Sequence, residues 1–471
     1  MGIGDPRTLR NRRRFLLTAL SSAALPLFAA CSGQSAPAAA PKPAESKPAE
    51  SKPAEAKPAA PAGAPAATTA PAVKASGPVT LSMIGLAGHP SWLATKDMIK
   101  LYKQKAPNVE FALSEFDLPQ INDKVNIDFQ AKKGEFDIVW MNSAGTVGYW
   151  TENKMVVPLD DMIAKDYDLD DFLKLARGIG SVGGKLYGIA IMIEDRMLSY
   201  RKDLLDAAGL KVPTTVDEMT AAAEKLTIKD KNQFGFTQRN RNSGSAAYDW
   251  YGWLYSYGGI AFDKDYKTQL TSPEAKAALE AFMRIDKFTP PNSNRSYGEI
   301  VKELQTGVAV MANDVTIITP LLEGKDSQFG GKFGYAVAPA GPKGPRPMTS
   351  AHLLAISSLS KQKEAAWEFV QWMTSKENNK PWVLGGGAAF RESMYKDQEL
   401  MAKYPQYPMF KEILDKGNPD YVPRLKVSGE INTKLSEELG AALVGVKKVD
   451  EALAAADKAV TEILKRDGYQ K

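Results

Sequence analysis

The sequence predicts an α/β fold in which parallel strands alternate with amphipathic helices. The main observation is the order of patterns between residues 79 and 140, which reads strand, helix, strand, helix, strand. With 471 residues, 44% of them hydrophobic and 24% charged, the chain is long enough for two to three domains with real cores. One cysteine and two histidines exclude disulfide frameworks, cysteine-rich zinc sites and three-histidine metal centres.

Each of these five elements has its own signature. Residues 79–83 and 109–113 alternate apolar and polar side chains, as strands with one buried face do. Residues 93–105 and 120–133 place apolar side chains three or four positions apart, which is typical of amphipathic helices. Residues 136–140 are a short apolar run that fits a strand buried on both faces. Ligands of such parallel sheets bind beyond the carboxyl ends of the strands. The loops at those ends are 85–92 and 141–145.

The net charge is unevenly distributed and argues against a nucleic-acid partner. The whole chain carries +5, but residues 1–30 carry +4 and residues 31–77 carry +2. Residues 78–471 are therefore left with −1. A nearly neutral globular part lacks the basic field that nucleic-acid binding requires.

The N-terminus has the features of an export signal. Residues 12–16, Arg-Arg-Arg-Phe-Leu, resemble the twin-arginine motif, and an apolar run too short to span a bilayer follows them. Residues 28–31, Phe-Ala-Ala-Cys, resemble a bacterial lipobox. We therefore expect residues 1–30 to be a signal peptide and Cys31 to be acylated, so that lipid anchors the exported protein to the outer face of the cell membrane.

A tether is expected after the anchor. Residues 31–77 consist mostly of Ala, Pro, Lys, Glu and Ser, and the motif Lys-Pro-Ala-Glu-Ser of residues 42–46 recurs directly afterwards. Such a segment cannot bury enough apolar surface to offset its ordering entropy, so it is predicted to be disordered. Its prolines favour extended conformations that reach roughly 100 Å.

Catalytic and nucleotide-binding motifs are missing from the sequence. It contains no HExxH, GxSxG or GxxxxGK[ST] pattern. Residues 178–183 fit GxGxxG by letter, but they precede a turn and a strand, the reverse of the order that cradles phosphate. We therefore predict no catalytic residue, no metal site and no cofactor.

Aromatic residues are unusually dense between residues 248 and 257, which hold two Trp and four Tyr. Flat apolar rings surrounded by carboxylates, amides and guanidinium groups suit a sugar, because ring C–H faces stack on aromatics while hydroxyls hydrogen-bond. The alternative is a buried helix that packs its aromatic rings internally.

Several sequence blocks carry a family resemblance. Residues 156–161 (Val-Val-Pro-Leu-Asp-Asp), 186–190 (Leu-Tyr-Gly-Ile-Ala) and 200–210 (Tyr-Arg-Lys-Asp-Leu-Leu-Asp-Ala-Ala-Gly-Leu) resemble the extracellular solute-binding proteins of ABC importers. The group they resemble is family 1, the sugar-binding kind that includes maltose-binding protein. Further matching blocks follow in the same order at residues 271–275, 307–311, 338–344, 363–369 and 450–453.

The resemblance implies the type II periplasmic-binding-protein fold. Two lobes, each a mostly parallel sheet flanked by helices, are joined by hinge strands and enclose the ligand between them. The implied boundaries are residues 78–190 and 337–375 for lobe 1, and residues 191–336 and 376–471 for lobe 2. The implied crossings between lobes lie near residues 189–198, 333–339 and 372–380.

The resemblance also implies a set of binding residues. Glu194 would accept sugar hydroxyls, Trp250 would stack on the ring, and Arg391 would donate into the cleft or form a structural ion pair. Where the family has two further aromatics, this chain has Ile317 and the pair at 428–429, which argues against a maltodextrin and favours a smaller or more polar ligand. The other implied site residues are His89, Trp92, Trp140, Met141, Asn142, Tyr248 and Asp314.

The function this implies is that of a monomeric importer receptor. It would bind a sugar-like solute without chemistry, close around it, and deliver it to the membrane permease subunits. Two alternatives remain at this point. One is a receptor for a polyamine, peptide or anion, and convergence of Glu194, Asp195, Asp249 and Asp314 would favour a cation. The other is an exported hydrolase that uses His89 or a carboxylate pair.

Overall fold

The computed structural model describes residues 77–239, 246–291, 295–418 and 420–470. The strands are β1 (Val79–Leu86), β2 (Val109–Phe116), β3 (Ile138–Asn142), β4 (Ser181–Val182), β5 (Lys185–Leu186), β6 (Ile189–Arg201), β7 (Met311–Val315), β8 (Phe333–Val337) and β9 (Thr349–Ile356). The helices are α1 (Pro90–Lys105), α2 (Leu118–Ala131), α3 (Val147–Glu152), α4 (Lys174–Ile179), α5 (Lys202–Ala207), α6 (Val216–Leu226), α7 (Ala246–Ser256), α8 (Pro273–Asp286), α9 (Tyr297–Gln305), α10 (Thr319–Glu323), α11 (Lys363–Met373), α12 (Lys376–Leu384), α13 (Gln398–Lys403), α14 (Tyr407–Lys416), α15 (Ser428–Leu443) and α16 (Val449–Arg466).

The predicted βαβαβ unit is confirmed as β1, α1, β2, α2 and β3. Strand β1 pairs in parallel with both β2 and β3. Helix α1 begins three residues earlier than predicted, because Pro90 occupies its first turn and the His89 side chain caps it by accepting a hydrogen bond from the Ser91 backbone N–H. The cap fixes His89 at the carboxyl end of β1, where a ligand was expected.

The main sheet is mixed, whereas the resemblance implied mostly parallel pairing. Among the described residues its order is β2-β1-β3-β9-β6-β7, with β8 also pairing with β6. Strand β9 runs antiparallel to both β3 and β6, and β6 runs antiparallel to β7 and β8. The long strand β6 passes from one lobe into the other. Its neighbours in both lobes, which are β9 in the first lobe and β7 and β8 in the second, all run in the direction opposite to it.

The first lobe has one continuous core around β1, β2, β3, β9 and the first half of β6. Residues from α11 and α12 contribute to it, and so do Phe390, Leu400, Tyr407 and Leu414. The implied boundary at residue 376 is therefore wrong, because residues up to 414 still bury apolar side chains in this core.

The second lobe buries apolar side chains on both faces of β6, β7 and β8. One face packs Leu198 and Tyr200 against α6, α7, α8, α15 and α16. The other face packs Met197 against α9, α10 and Ile413 of α14. The C-terminal part of this lobe begins at Tyr421, which lies in the first of these two clusters.

Within the ranges that the structure describes, three chain segments connect the lobes, and one of them lies where the resemblance implied. Residues 189–195 of β6 pair with β9, and residues 196–201 pair with β7 or β8, which agrees with the implied crossing at 189–198. The second crossing is not at 333–339, since β8 pairs with the second-lobe half of β6; it lies where β9 begins at Thr349. The third is not at 372–380 but between Leu414 and Tyr421.

The predicted signal peptide, the lipidated Cys31 and the tether up to residue 76 lie outside the described residues. In the part of the chain that is described, no helix is long and apolar enough to cross a membrane.

Candidate functional site

A polar cluster lies where the two lobes meet, and Glu194 is at its centre. Glu194 belongs to β6 and pairs across the sheet with Ser350 of β9. The Ser350 hydroxyl donates a hydrogen bond to Glu194 Oε2 over 3.1 Å, and 14% of the Glu194 side chain stays exposed. Two hinge strands therefore fix the position of a carboxylate that solvent can still reach.

Two imidazoles and an indole form the first-lobe side of this cluster. The Trp140 indole N–H donates to His352 Nδ1 over 2.6 Å. Because an indole N–H can only donate, the neutral His352 ring carries its proton on Nε2, which lies 3.9 Å from Glu194 Oε2. The His89 ring lies 5.8 Å from Trp140 and 5.7 Å from His352, measured between ring centroids.

Burial controls the protonation of these groups. Burial, together with the neighbouring His352, lowers the pKa of His89 to about 4, although Glu194 acts in the opposite direction. Burial also lowers the pKa of His352 to about 4. Burial raises the pKa of Glu194, against the lowering effects of His89 in the first lobe and Arg239 in the second. Both imidazoles are therefore neutral at neutral pH, and at that pH a nearby charge that lowers the pKa of Glu194 is that of Arg239 in the second lobe.

We expect both imidazoles to titrate below pH 5. Because an ordinary histidine titrates near 6.5, the unfolded chain binds more protons than the folded one between pH 6.5 and 4. The free energy of unfolding should therefore fall as the pH drops through that window. The check is an NMR titration of the imidazole carbons of His89 and His352. A midpoint near 6.5 for either ring would contradict this environment.

Four charged side chains, here named the charge cluster, form the second-lobe side: Arg196, Arg239, Asp249 and Asp314. Arg196 Nη1 lies 2.6 Å from Asp314 Oδ1, and Arg196 Nη2 lies 2.5 Å from Asp249 Oδ1. Arg239 Nη2 lies 3.0 Å from Asp314 Oδ1, and its backbone N–H donates to Asp249 Oδ2 over 3.1 Å. The four formal charges cancel, and 16% of the Arg239 side chain is exposed.

The pKa values of Asp249, Asp314 and Arg239 in the charge cluster are shifted in different directions. Burial alone would raise the pKa of Asp314, but Arg239 and Arg196 together lower it below its ordinary value. For Asp249 burial dominates and raises the pKa, although the same two arginines oppose it. Burial would lower the pKa of Arg239, but Asp314 and Asp249 raise it. Arg239 is therefore a cation that the two carboxylates keep in place.

Hydroxyl groups surround the charges. The Tyr248 hydroxyl accepts a hydrogen bond from Asn432 Nδ2 over 3.2 Å, and the Tyr251 hydroxyl donates to Asn432 Oδ1 over 3.1 Å. Burial and the nearby Glu194 raise the pKa of Tyr297. Burial, Tyr248 and Glu194 raise the pKa of Tyr421. The site therefore combines charged and hydroxyl groups from several elements.

The indoles predicted to stack on a sugar offer no free ring face. Trp92, Trp140 and Trp250 are all 0% exposed. Trp250 lies in the second-lobe core beside Tyr251, so α7 packs much of its aromatic surface internally. The predicted stacking role of Trp250 is wrong for this conformation, and the alternative interpretation of the aromatic window holds for this ring.

Two further predicted residues lie at the cluster with other roles. Asn142 Oδ1 accepts hydrogen bonds from the backbone N–H groups of Ala144 and Gly145, so its side chain orders the loop after β3. Asp314 is enclosed by its two arginines rather than open to a ligand. The neighbouring Met141 is a buried residue of the first-lobe core.

Arg391 does not reach the cleft. It is fully buried in the first lobe and donates to the backbone carbonyls of Tyr167, Asp168 and Thr374 over 3.0 to 3.2 Å. Its guanidinium also lies 3.4 Å from the Asp171 carboxylate. The structure thus places Arg391 away from the ligand position that was predicted for it, and its contacts fit the alternative role as a structural ion pair.

The carboxylates that would favour a cationic ligand do not converge. Asp249 and Asp314 are neutralised by Arg196 and Arg239. Asp195 accepts a hydrogen bond from the Thr349 hydroxyl and is only 1% exposed, so it offers no open carboxylate to a ligand. Nor do the described ranges contain a group of three or more His, Cys, Asp or Glu side chains placed to hold a metal ion.

Besides Arg196, five residues of the cluster were not predicted from the sequence. Arg239 follows a short segment without a recognisable motif, and Tyr297 follows a helix cap, so neither has a local signal. His352 is the one that a sequence signal could have found, because the chain has only two histidines. The five residues are Arg239, Tyr297, Ser350, His352 and Tyr421.

A two-lobed α/β chain with a polar cluster between its lobes belongs to the class of proteins that clamp small solutes. Residues 92–380 match the model of the bacterial extracellular solute-binding protein family, so the chain belongs to this family. It is 26% identical to the mannitol-binding protein of Pseudomonas aeruginosa over 422 residues, which is 84% of this chain and 96% of that protein.

Two solved structures support the same fold and family. A solute-binding protein of Agrobacterium radiobacter in complex with ribitol has a TM-score of 0.75 at 29% identity, over 83% of this chain and 99% of that one. A solute-binding protein of Agrobacterium vitis with bound D-mannitol has a TM-score of 0.73 at 26% identity, over 83% and 100%. The two-lobe fold predicted from the sequence is confirmed.

Proposed function

We propose that this protein captures an acyclic polyol between its lobes and delivers it to the permease of an ABC importer. The observation that carries the proposal is the position of Glu194, whose Oε2 lies 3.9 Å from Nε2 of His352 in the first lobe and whose pKa is raised by burial and lowered by Arg239 of the second lobe. A solute that bonds to all of these groups would favour the closed arrangement of the lobes.

The chemistry of the cluster favours hydroxyl groups. A hydroxyl donates to a carboxylate and accepts from a guanidinium, so neighbouring hydroxyls of one chain match Glu194 and Arg239. An imidazole that is neutral adds one donor, which for His352 is Nε2–H. None of these groups requires a charged solute, because the charge cluster is already neutral.

The absence of a free indole face in this region favours an acyclic solute over a pyranose. Pyranose recognition gains from stacking of the ring's C–H face on an exposed aromatic plane. Trp92, Trp140 and Trp250 are completely enclosed. Three of the relatives fit this chemistry, since two of them are described with mannitol and one with ribitol.

The solute is proposed to leave unchanged, without a catalytic step. A general base at neutral pH needs a pKa near the working pH, and His89, the residue that a hydrolase would use, has a pKa of about 4. The carboxylates of the charge cluster are occupied by arginines.

We further propose an exported lipoprotein. In this proposal residues 1–30 direct export by the twin-arginine route, Cys31 carries the lipid, and residues 31–77 form a spacer. A spacer of this length would let the two lobes reach both the solute outside and the permease in the membrane. A monomer fits this arrangement.

Isothermal titration of the purified protein with D-mannitol, ribitol, maltose and spermidine tests the ligand class. We expect saturable binding of one or more polyols with one site per chain, and at least about tenfold weaker binding of maltose, which is about 1.4 kcal/mol. Preferential binding of maltose or spermidine, or no binding of either polyol, would contradict the proposed function.

A further inference from the structure

The three segments that cross between the lobes meet at one point. Asp195 of β6 pairs with Thr349 of β9, and this is the last pair before β6 turns to its second-lobe neighbours at Arg196. Gly417, in the third crossing, packs directly against both: a Cβ there would lie 2.1 Å from Thr349 Oγ1 and 3.1 Å from Asp195 Oδ1. We name Asp195, Thr349 and Gly417 the hinge contact.

The carboxyl group of Asp195 has few partners in this contact. The residue is 1% exposed, and its Oδ1 accepts a hydrogen bond from the Thr349 hydroxyl. Its other oxygen, Oδ2, is buried and has no hydrogen-bond partner within the described ranges. An isolated carboxylate in such a place is strongly disfavoured, whereas a neutral carboxyl group is tolerated.

The elements packed around Asp195 supply no opposing charge. Glu194, its neighbour on β6, is an acid and raises the pKa of Asp195. Burial, Tyr407 and Asp195 raise the pKa of Tyr395, in the 3₁₀ turn at Glu392–Lys396, so this neighbour brings no positive charge. Thr316, after β7, presents its hydroxyl to the Asp195 backbone N–H.

Helix α14, which also packs on β6, supplies no opposing charge to Asp195 either. Its charged side chains form ion pairs elsewhere: Lys411 pairs with Asp415, and Lys416 pairs with Glu412. No ion pair joins Asp195 to a lysine, arginine or histidine in the part of the chain that the structure describes. Burial accordingly raises the pKa of Asp195 to about 7, with Glu194 adding to the effect and Thr349 opposing it.

We propose that Asp195 binds a proton as the lobes close, and that this proton holds the three crossings together around the bound solute. Asp195 is then a positioning residue, since it acts on the solute through the hinge and not by contact. A protonated carboxyl group can itself donate to the Thr349 hydroxyl, so the hinge contact keeps its hydrogen bond. The inference rests on the proposed function for its solute.

The direction of the pH effect follows from linkage. In this proposal the opening of the hinge exposes Asp195 to solvent, where an aspartate titrates near 3.9. Between that value and 7, closure takes up a proton, so raising the pH weakens closure and solute binding. Above pH 7 neither form holds the proton, and the affinity should become independent of pH.

The test compares the protein with the Asp195→Asn variant, which has nearly the same shape and no titrating group. The probe is D-mannitol, titrated calorimetrically between pH 5 and 8 in buffers with different ionisation enthalpies. We expect the wild-type affinity to fall about tenfold or more from pH 5 to pH 7, with proton uptake on binding. The Asp195→Asn variant should lose this slope and this uptake.

The control is Asp97→Asn, which removes an exposed carboxylate of α1 and should keep the wild-type profile. A wild-type slope that persists in Asp195→Asn would overturn the proposal, as would a wild-type affinity that does not change with pH.

A second measurement needs no solute and separates the two proposals. Hydrogen exchange, corrected for intrinsic rates, reports opening at residues 349–351 of β9. We expect wild-type protection there to fall from pH 5 to pH 7, and Asp195→Asn to keep its protection. If D-mannitol does not bind but this difference is found, the proposed function fails and the proton site stands. Equal protection in both proteins would overturn the proton site even if D-mannitol binds.

Discussion

Replacing Arg196 by methionine is expected to lower the free energy of unfolding by about 3–5 kcal/mol. The substitution leaves Asp249 and Asp314 buried with one cation, Arg239, because Arg196 lies 2.5 and 2.6 Å from their carboxylates. Removing one partner of a buried ion pair leaves a charge that neither water nor protein stabilises. Chemical denaturation at pH 7 measures the loss.

The matched control is Arg284→Met, because Arg284 pairs with Asp217 on the surface and about half of its side chain is exposed. That variant should change stability by no more than about 0.5–1 kcal/mol. Adding Asp249→Asn to Arg196→Met should recover part of the loss by removing the unpaired acid. Equal effects of Arg196→Met and Arg284→Met would contradict the charge cluster.

Replacing Glu194 by alanine is expected to weaken polyol binding by about 2–5 kcal/mol, which is about 30-fold or more. The expectation follows from the position of Glu194 between the lobes. Its Oε2 lies 3.9 Å from His352 Nε2 and accepts a hydrogen bond from the Ser350 hydroxyl over 3.1 Å. Without the carboxylate, a bound hydroxyl loses its charged acceptor and both lobes lose a common partner. Calorimetric titration with D-mannitol measures the change.

A denaturation curve of Glu194→Ala shows whether the variant is folded. The control is Glu110→Ala, which removes an exposed carboxylate of β2 that pairs with Lys103. It should leave the affinity unchanged. Full affinity in Glu194→Ala would exclude Glu194 from the site.

The N-terminal half of the first lobe could be predicted from the sequence because its signals are local. Alternation in β1 and β2 and the periodicity of α1 and α2 need no long-range information. The crossings between lobes could not be located in this way. Strand β9 is buried along its whole length and pairs with β3 and β6, which are 150 or more residues away, so its start at Thr349 depends on tertiary pairing.

The site was predictable where a residue's position is tied to a strand, and not where packing decides. The family resemblance placed Glu194 on a hinge strand and His89 at a strand end, and both lie at the cluster. Trp250 was misassigned because an aromatic residue on a helix serves equally well in a core, and only the packing of α7 distinguishes the two roles. Arg391 was misassigned for the same reason, since two of its three carbonyl partners, Tyr167 and Asp168, lie more than 200 positions away in the chain.

A crystal structure of the protein with D-mannitol tests the central claim most directly. The account predicts one polyol molecule between the lobes, with hydroxyl oxygens within hydrogen-bond distance of Glu194 and Arg239. It also predicts that Trp250 remains in the second-lobe core. A polyol bound elsewhere, or one stacked on Trp250 without contact to Glu194, would contradict it.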